Sequence, residues 1–337
     1  MYDDSLECPS DRPNKDLVFT PYASIANTYQ TKFLTNLRKQ KEFKDCGDWL
    51  VTEKIHGANY SLWTDGVVVE SGRRGGFITD EKSFYHSKEI RVKYEERVRS
   101  LFKEFPGATS VAVFGELFGG FYPGCSRTVP MVQKGVMYCP GHEFYAFDLY
   151  VDGSYVDYHR AEELFVRHSF IRGTIEFRGT FDEAVAYSHA HNADQSSLPA
   201  LLGLEPPADN VREGNVIRPD VSFFLTGGSR AMLKDKNSFF VERTSTKRID
   251  RDVALTDDEQ KQLQIILSYV TEARLSNVLS KFGIATEKDI GVLIKQLCVD
   301  SMDEYKNDNE RTYVHVHRDI RRHLYSHARK LVVDAIQ

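Results

Sequence analysis

Residues 52–63 read TEKIHGANYSLW, and Trp49-Leu50-Val51 lead into them. Apolar residues run up to Thr52-Glu53-Lys54 and resume at Tyr60, so two strands are expected, joined across Lys54-Ile55-His56-Gly57. A lysine at a strand end, with a glycine close behind, can sit at the mouth of a tight pocket. Its amine is a nucleophile only when deprotonated, and burial near other cations favours that form. A pattern as loose as this turns up by chance in about one chain in five of this length. The rest of the chain has to decide its meaning.

Downstream, YSLWT, a turn at Asp65-Gly66 and VVVES predict a hairpin. Ser71–Gly76, SGRRGG, reads as a loop and residues 84–104 as a helix. TSVAVFGELFG (109–119) and HEFYAFDLYV (142–151) read as strands, the second ending at Asp152-Gly153. Short helices are expected over 160–169 and 181–190, followed by a loop-rich connection over 192–210. NVIRP (215–219), RAMLKD (230–235) and SFFVER (238–243) then read as strands around a turn at Gly227-Gly228. Upstream, Ile25, Tyr29, Phe33 and Leu34 predict a short amphipathic helix within 22–40. The whole is an α+β domain of antiparallel sheets with flanking helices, closing near residue 245.

The texture then changes. Thr256 with Glu259 forms a capping box, and the apolar spacing behind it predicts a helix to about Leu279. Gly283 interrupts, Thr286 precedes a second helix, and a third runs from Asn309 or Glu310 to about Ile336. Three segments are therefore expected: a polar leader over 1–16, the α+β domain over 17–248 and a small all-helical domain over 249–337.

Hydrophobic residues make up 41% and charged residues 28% of the 337, which is the balance of a globular protein. No apolar run approaches the ~20 residues that span a bilayer, and no membrane association is expected. The first residues carry acids and prolines and no apolar block, so no signal peptide and an intracellular setting are expected. The five cysteines are odd in number and form no CxxC pair, which points away from a disulfide framework or a zinc site. A net charge of -5 argues against coating nucleic acid but leaves room for a local basic surface. Such a surface is offered by Arg311, Arg318, Arg321, Arg322, Arg329 and Lys330, opposed by Asp319. His323 and His327 stand four apart without a carboxylate, and read as surface histidines rather than a metal pair.

Five further features fit a nucleotide site. Arg73-Arg74, in a glycine-flanked loop, suits a phosphate or ribose clamp. Glu116 follows a buried strand, where a carboxylate needs a ligand or partner. Phe147 has the ring to stack on a base, although an aromatic here also suits a core. Glu213 suits a divalent ion. Lys234 and Lys236 alternate along a strand and so share one face, where two ammonium groups can neutralise an α-phosphate.

In this order the segments resemble the nucleotidyltransferase motifs of covalent ATP-dependent ligases, most of all the RNA ligase 2 family of phage double-strand RNA ligases and kinetoplastid RNA-editing ligases. TEKIHGANYSLW resembles the first motif, with His56 where DNA ligases and capping enzymes usually carry aspartate. SGRRGG, VFGELFGGFYPG, EFYAFDLYV, REGNVIRP and AMLKDKNSFF are similar to the later ones, and the similarity reaches YASIANTYQTKF. One departure is Arg218, where a lysine often precedes the proline. The resemblance implies that Lys54 takes AMP from ATP, passes it to an RNA 5′-phosphate, and that a 3′-hydroxyl then displaces it. It implies that Ile55, Asn59, Arg74, Glu116 and Phe147 hold the nucleotide, with Arg74 and Glu116 on the ribose and Phe147 on adenine. It implies Mg2+ or Mn2+ at Glu213, with Asn59 acting through water, Lys234 and Lys236 on the α-phosphate, and His56 assisting pyrophosphate departure. A nick in duplex RNA is the substrate it implies, and a monomer is expected. The alternatives are an ATP-dependent DNA ligase, a capping guanylyltransferase or a non-catalytic RNA-binding module. A helical tail, where the first two usually carry a β-barrel OB domain, counts against both of these.

Overall fold

Alternation across the pleat divides the α+β part between two sheets. The computed structural model describes residues 17–240, 256–309, 316 and 318–336. In chain order it begins with β1 (Ala26–Asn27), α1 (Thr31–Leu37), β2 (Trp49–Glu53), β3 (Ala58–Thr64), β4 (Val69–Arg73), β5 (Gly76–Phe77) and α2 (Lys88–Phe102). Next come β6 (Val111–Gly119), β7 (His142–Val151), β8 (Ser154–Tyr155), α3 (Tyr158–Arg167), β9 (Ile171–Arg172), β10 (Phe177–Gly179) and α4 (Phe181–His191). A short α5 (Leu198–Leu201), β11 (Gly214–Pro219) and β12 (Leu233–Lys236) complete this part. Four helices follow: α6 (Asp257–Leu267), α7 (Glu272–Phe282), α8 (Ile290–Asp308) and α9 (Arg318–Ile336).

The first sheet has the order β1-β12-β11-β2-β10; the second runs β5-β4-β3-β6-β7-β8, with β9 on β7. Pairing is antiparallel apart from β1 with β12 and β9 with β7. One face of the second sheet buries Tyr60, Leu62, Val113, Leu117 and Phe144 under Tyr94, Val98 and Leu101 of α2. The first sheet packs Trp49, Val51, Ile217 and Leu233 on Phe181 and Ala184 of α4 and Leu37 of α1. Each cluster removes several large side chains from water, at ~1.5–3 kcal/mol apiece. The helical part has its own core, with Leu263, Ile266, Leu275, Leu293, Leu297, Leu324 and Val332. Among the described residues, no helix is long and apolar enough to cross a membrane.

The expected α+β class and the helical region behind it are both present. Several boundaries differ. The first helix covers only Thr31–Leu37, because Ala26 and Asn27 join β12 as an edge strand. SGRRGG is the tip of the β4–β5 hairpin rather than a free loop. SFF is a single 3-10 turn, set by the Asn237 side chain, whose Oδ1 accepts from Phe239 N at 2.7 Å; the remainder of SFFVER lies outside the described residues. The capping box at Thr256 and Glu259 forms, but the helix behind it stops at Leu267. Thr271 caps a new one, accepting from Arg274 N at 3.1 Å, since a β-branched hydroxyl residue favours a cap over a helix interior. The polar leader, the boundary at 248/249 and Arg311 also lie outside the described residues.

Candidate active site

The chain passes from the first sheet to the second through Lys54–Gly57. Lys54 N donates to Gly214 O at 2.9 Å, so the β2–β11 ladder continues to the base of the lysine. On β11 and β12, Gly214 stands opposite Lys236. The ends of three adjacent strands thus bring Lys54, Glu213 and Lys236 together. Gly57 makes the crossover possible: a Cβ there would lie 2.3 Å from Leu117 O and 2.9 Å from Glu116 Cγ. Immediately beyond it, Asn59 stands opposite Glu116 across β3 and β6.

Glu213 is the hub. Its Oε2 accepts from Lys54 Nζ at 2.6 Å and stands 3.3 Å from His56 Nδ1, and its Oε1 lies 2.9 Å from Lys236 Nζ. Burial alone would raise its pKa, but Lys236, then Lys54 and His56, outweigh that and hold it well below the ordinary carboxylate value. Glu116 is the opposite case. Burial, with some help from Glu213, pushes it up to about 8 despite Lys54, Arg74 and Lys236. His56 N donates to the buried Tyr138 hydroxyl at 2.9 Å, and its ring packs edge-on to Phe240 at 5.2 Å.

These groups open onto a cleft of ≈ 880 Å³, a volume suited to a nucleotide. Lys54, His56, Asn59, Arg74, Glu116, Lys234 and Lys236 all line it. Lys234 and Lys236 share the cleft side of β12, while Leu233 and Asp235 are buried beneath. Six of the sequence candidates and the nucleophile candidate therefore meet in one cavity.

Four candidates stand elsewhere. Glu213 lies beneath the cleft, fully engaged by the two lysines and the histidine. Ile55 turns into an apolar cluster with Phe118, Tyr138 and Tyr145. Arg73 faces the helical region, its Nη1 donating to Phe282 O at 3.0 Å. Phe147 is half-buried and is not among the residues that line the cleft, and it is the extra residue of a β-bulge. Phe114 pairs with Asp148 and Gly115 with Ala146, which skips Phe147. A bulge re-aims one side chain and frees its backbone from the ladder. The freed carbonyl accepts from Arg218 Nη1 at 2.8 Å, and the Phe147 ring stands 4.9 Å from that of Tyr22, which does line the cleft.

Arg218 is engaged inside the protein. With Arg230 it flanks the fully buried Asp148, which also accepts from the Tyr22 hydroxyl at 2.5 Å. Burial would raise the Asp148 pKa, but Arg218 and Arg230 bring it below its usual value. Sequence reasoning missed this network. It also missed Glu53, whose carboxylate accepts from Ser196 Oγ at 2.6 Å and from Ser197 N and Oγ at 2.8 Å behind the nucleophile. The helical part adds Arg274, Lys281, Asp300 and Glu304 to the cleft wall. No local pattern announces them, since a tertiary contact brings them there. On α9, Arg321, Arg322, Arg329 and Lys330 are exposed, and His323 and His327 are half-buried.

The family model described as RNA ligase matches residues 47–236. The chain belongs to the RNA ligase family. This places it among the covalent nucleotidyltransferases related to RNA ligase 2 and the RNA-editing ligases, and supports ligase activity in general. A second model, described as T4 RNA ligase 2 C-terminal, matches residues 253–330 of this RNA ligase family member. The mitochondrial RNA-editing ligase 2 of Trypanosoma brucei brucei is 28% identical, over 94% of this chain and 90% of its own. RNA-editing ligase 1 of the same organism is 27% identical, over 80% of this chain and 71% of its own. A solved Naegleria gruberi RNA ligase variant with ATP and Mn has a TM-score of 0.44 at 13% identity, and the match covers 65% of this chain and 57% of that one.

Proposed function

We propose that this chain is an ATP-dependent RNA ligase that seals 3′-hydroxyl and 5′-phosphate ends, preferentially at nicks in duplex RNA, through AMP carried on Lys54. The observation that carries this reading is the Lys54 ammonium at the cleft floor, 2.6 Å from Glu213, with Lys236 on the other oxygen of that carboxylate.

In the first step Lys54 Nζ, having lost a proton, bonds to the α-phosphorus of ATP. The bond from that phosphorus to the bridging oxygen breaks and pyrophosphate leaves. Lys234 and Lys236 neutralise the α-phosphate oxygens in the in-line transition state. In the second, an RNA 5′-phosphate oxygen attacks the same phosphorus, and the P–N bond breaks as the lysine nitrogen regains a proton. In the third, the 3′-hydroxyl attacks the RNA 5′-phosphorus, loses its proton and expels AMP. Arg74 and Glu116 are placed to hold the ribose, and a partly protonated Glu116 can donate as well as accept a hydrogen bond. Tyr22, backed by Phe147, offers an aromatic wall to adenine.

Among the described residues, no three His, Cys, Asp or Glu side chains cluster as a metal site. Glu213 and Asn59, the latter through water, instead offer oxygen donors. That suits Mg2+ or Mn2+, which share their shells with phosphate and water. The ion would supply charge stabilisation to the phosphates. Adenylylation of Lys54 would make its nitrogen neutral, which leaves Glu213 with charge to share.

The test is to incubate the protein with radiolabelled ATP and magnesium, without RNA, and run a denaturing gel. Label is expected to stay on the wild type and be absent from Lys54→Ala. Label from GTP instead would indicate a capping enzyme, and no label a binding module. Sealing of a nicked DNA duplex as fast as nicked RNA would overturn the RNA preference.

A further inference from the structure

The two arginines at the β4–β5 tip point apart. Arg74 lines the cleft, whereas Arg73 Nη1 donates to Phe282 O at 3.0 Å, the last residue of α7. A cation there meets the negative end of the helix dipole. Two more hydrogen bonds converge on the same end. The Tyr85 hydroxyl donates to Leu279 O at 3.3 Å, and Ile284 N donates to Ser83 O at 3.1 Å. Gly283 lets the helix end approach so closely. Its φ is 101°, and a Cβ would lie 2.9 Å from Ser83 O and 3.3 Å from Phe84 Cδ2.

The receiving turn is strained. Tyr85 and His86 have φ of 53° and 55°, a left-handed conformation that side chains disfavour. Such strain persists only where the surroundings over-determine it. Helix α7 also supplies Arg274, Asn277, Ser280 and Lys281 to the cleft. Whatever fixes its C-terminal end therefore fixes that wall.

We infer that Arg73, Ser83 and Tyr85 form a docking socket for the C-terminal end of α7, which holds the helical region in register over the cleft for the RNA-dependent steps. This rests on the proposed function. Lys54, Glu213 and Lys236 are held by the β-ladders of the first sheet, so loading Lys54 with AMP does not need the socket. Passing AMP to RNA and joining the ends require the opposite wall to stand at a fixed height.

The test uses full-length Arg73→Met, which removes the charge and keeps most of the stem. ATP labelling of Lys54 should stay within about two-fold of wild type. Sealing of pre-adenylylated nicked RNA should slow by about five-fold or more, the share of one charged hydrogen bond at a helix end. Amide exchange at Ile284 should quicken. Arg73→Lys, which keeps a cation, should restore most of the sealing, and Tyr85→Phe should quicken Ile284 exchange to a smaller extent. Unchanged Ile284 exchange, sealing at the wild-type rate, or labelling lost in parallel with sealing would each overturn the inference. A wild type that takes no label from ATP would overturn the proposed function instead. Exchange at Ile284 is read without nucleotide or RNA and judges the socket separately.

Discussion

Asp148→Asn is the sharpest test of how the two sheets are held at the back of the cleft. Asp148 stands on β7 with no solvent exposure, and faces Arg218 of β11 and Arg230, which are 3% exposed. Both guanidiniums also stack on aromatic rings, Arg218 on Tyr158 at 4.3 Å and Arg230 on Tyr155 at 3.7 Å, so neither can swing to water cheaply. The substitution keeps the shape and removes the charge that both cations share. Breaking a buried pair costs about 3–5 kcal/mol because the surviving charge stays desolvated. Two survivors put the loss near about 5 kcal/mol, a large part of the ~5–15 kcal/mol that stabilises a domain. With a urea slope of about 2.5 kcal/mol/M, the unfolding midpoint should fall by about 2 M. Arg218→Met should cost less, about 2 kcal/mol, because Arg230 still pairs with Asp148. It should also raise the KM for ATP, since the Phe147 carbonyl loses its donor. Urea unfolding followed by fluorescence measures the first effect and initial-rate labelling the second. A midpoint for Asp148→Asn within about 0.4 M of wild type would refute the reasoning.

Gly57→Ala places a methyl 2.3 Å from Leu117 O; it should cost about 1–3 kcal/mol in denaturant and slow ATP labelling at least about tenfold, as the lysine is displaced. Glu116 titrates at about 8 rather than 4.5, so the folded chain binds that proton more tightly and loses stability as pH rises through this window. The melting temperature of Glu116→Gln relative to wild type should accordingly climb between those pH values and level off above them. Lys236→Ala removes the largest counter-charge of Glu213. The stability that this carboxylate contributes above its ordinary pKa should shrink by about 2 kcal/mol at neutral pH and vanish in strong acid, as thermal melts across pH will show.

The strands were legible as apolar and aromatic runs bounded by turn residues. HEFYAFDLYV is β7 to the residue, and VAVFGELFG is β6. The candidate-site residues come together because strand ends deliver them in a fixed order. Lys54, Asn59, Glu116 and Lys236 each sit beside a backbone partner that the ladder dictates. What escaped was set by contacts between distant segments. A bulge cannot be read from alternation alone, so the register that skips Phe147 was not foreseen. Arg218 stood out in the sequence only as a departure from a lysine, because its partner is a buried aspartate on another strand. Arg73 and Arg74 are neighbours of one chemical type, and only the folded hairpin, with Arg73 ending β4 and Arg74 in its turn, separates one for α7 and one for the cleft.

The ion cluster explains how two lysines can converge in an acidic chain, as the proposed phosphate chemistry requires. Lys54 and Lys236 converge from adjacent strands, and without an anion between them their repulsion would strain the sheet ends. Glu213 neutralises both from beneath. In the proposed reaction, phosphate oxygens approach the same two ammonium groups from the open side. Each lysine then faces an anion above and below. As Lys54 forms its bond to phosphorus and gives up its charge, Glu213 loses one of its cations. The remaining attraction of Lys236 and His56, and of a divalent ion where one is bound, has to hold the carboxylate ionised. The depressed pKa of Glu213 in the unliganded chain provides the margin for that exchange, which is why its buried position, not exposure to the cleft, suits it to the task.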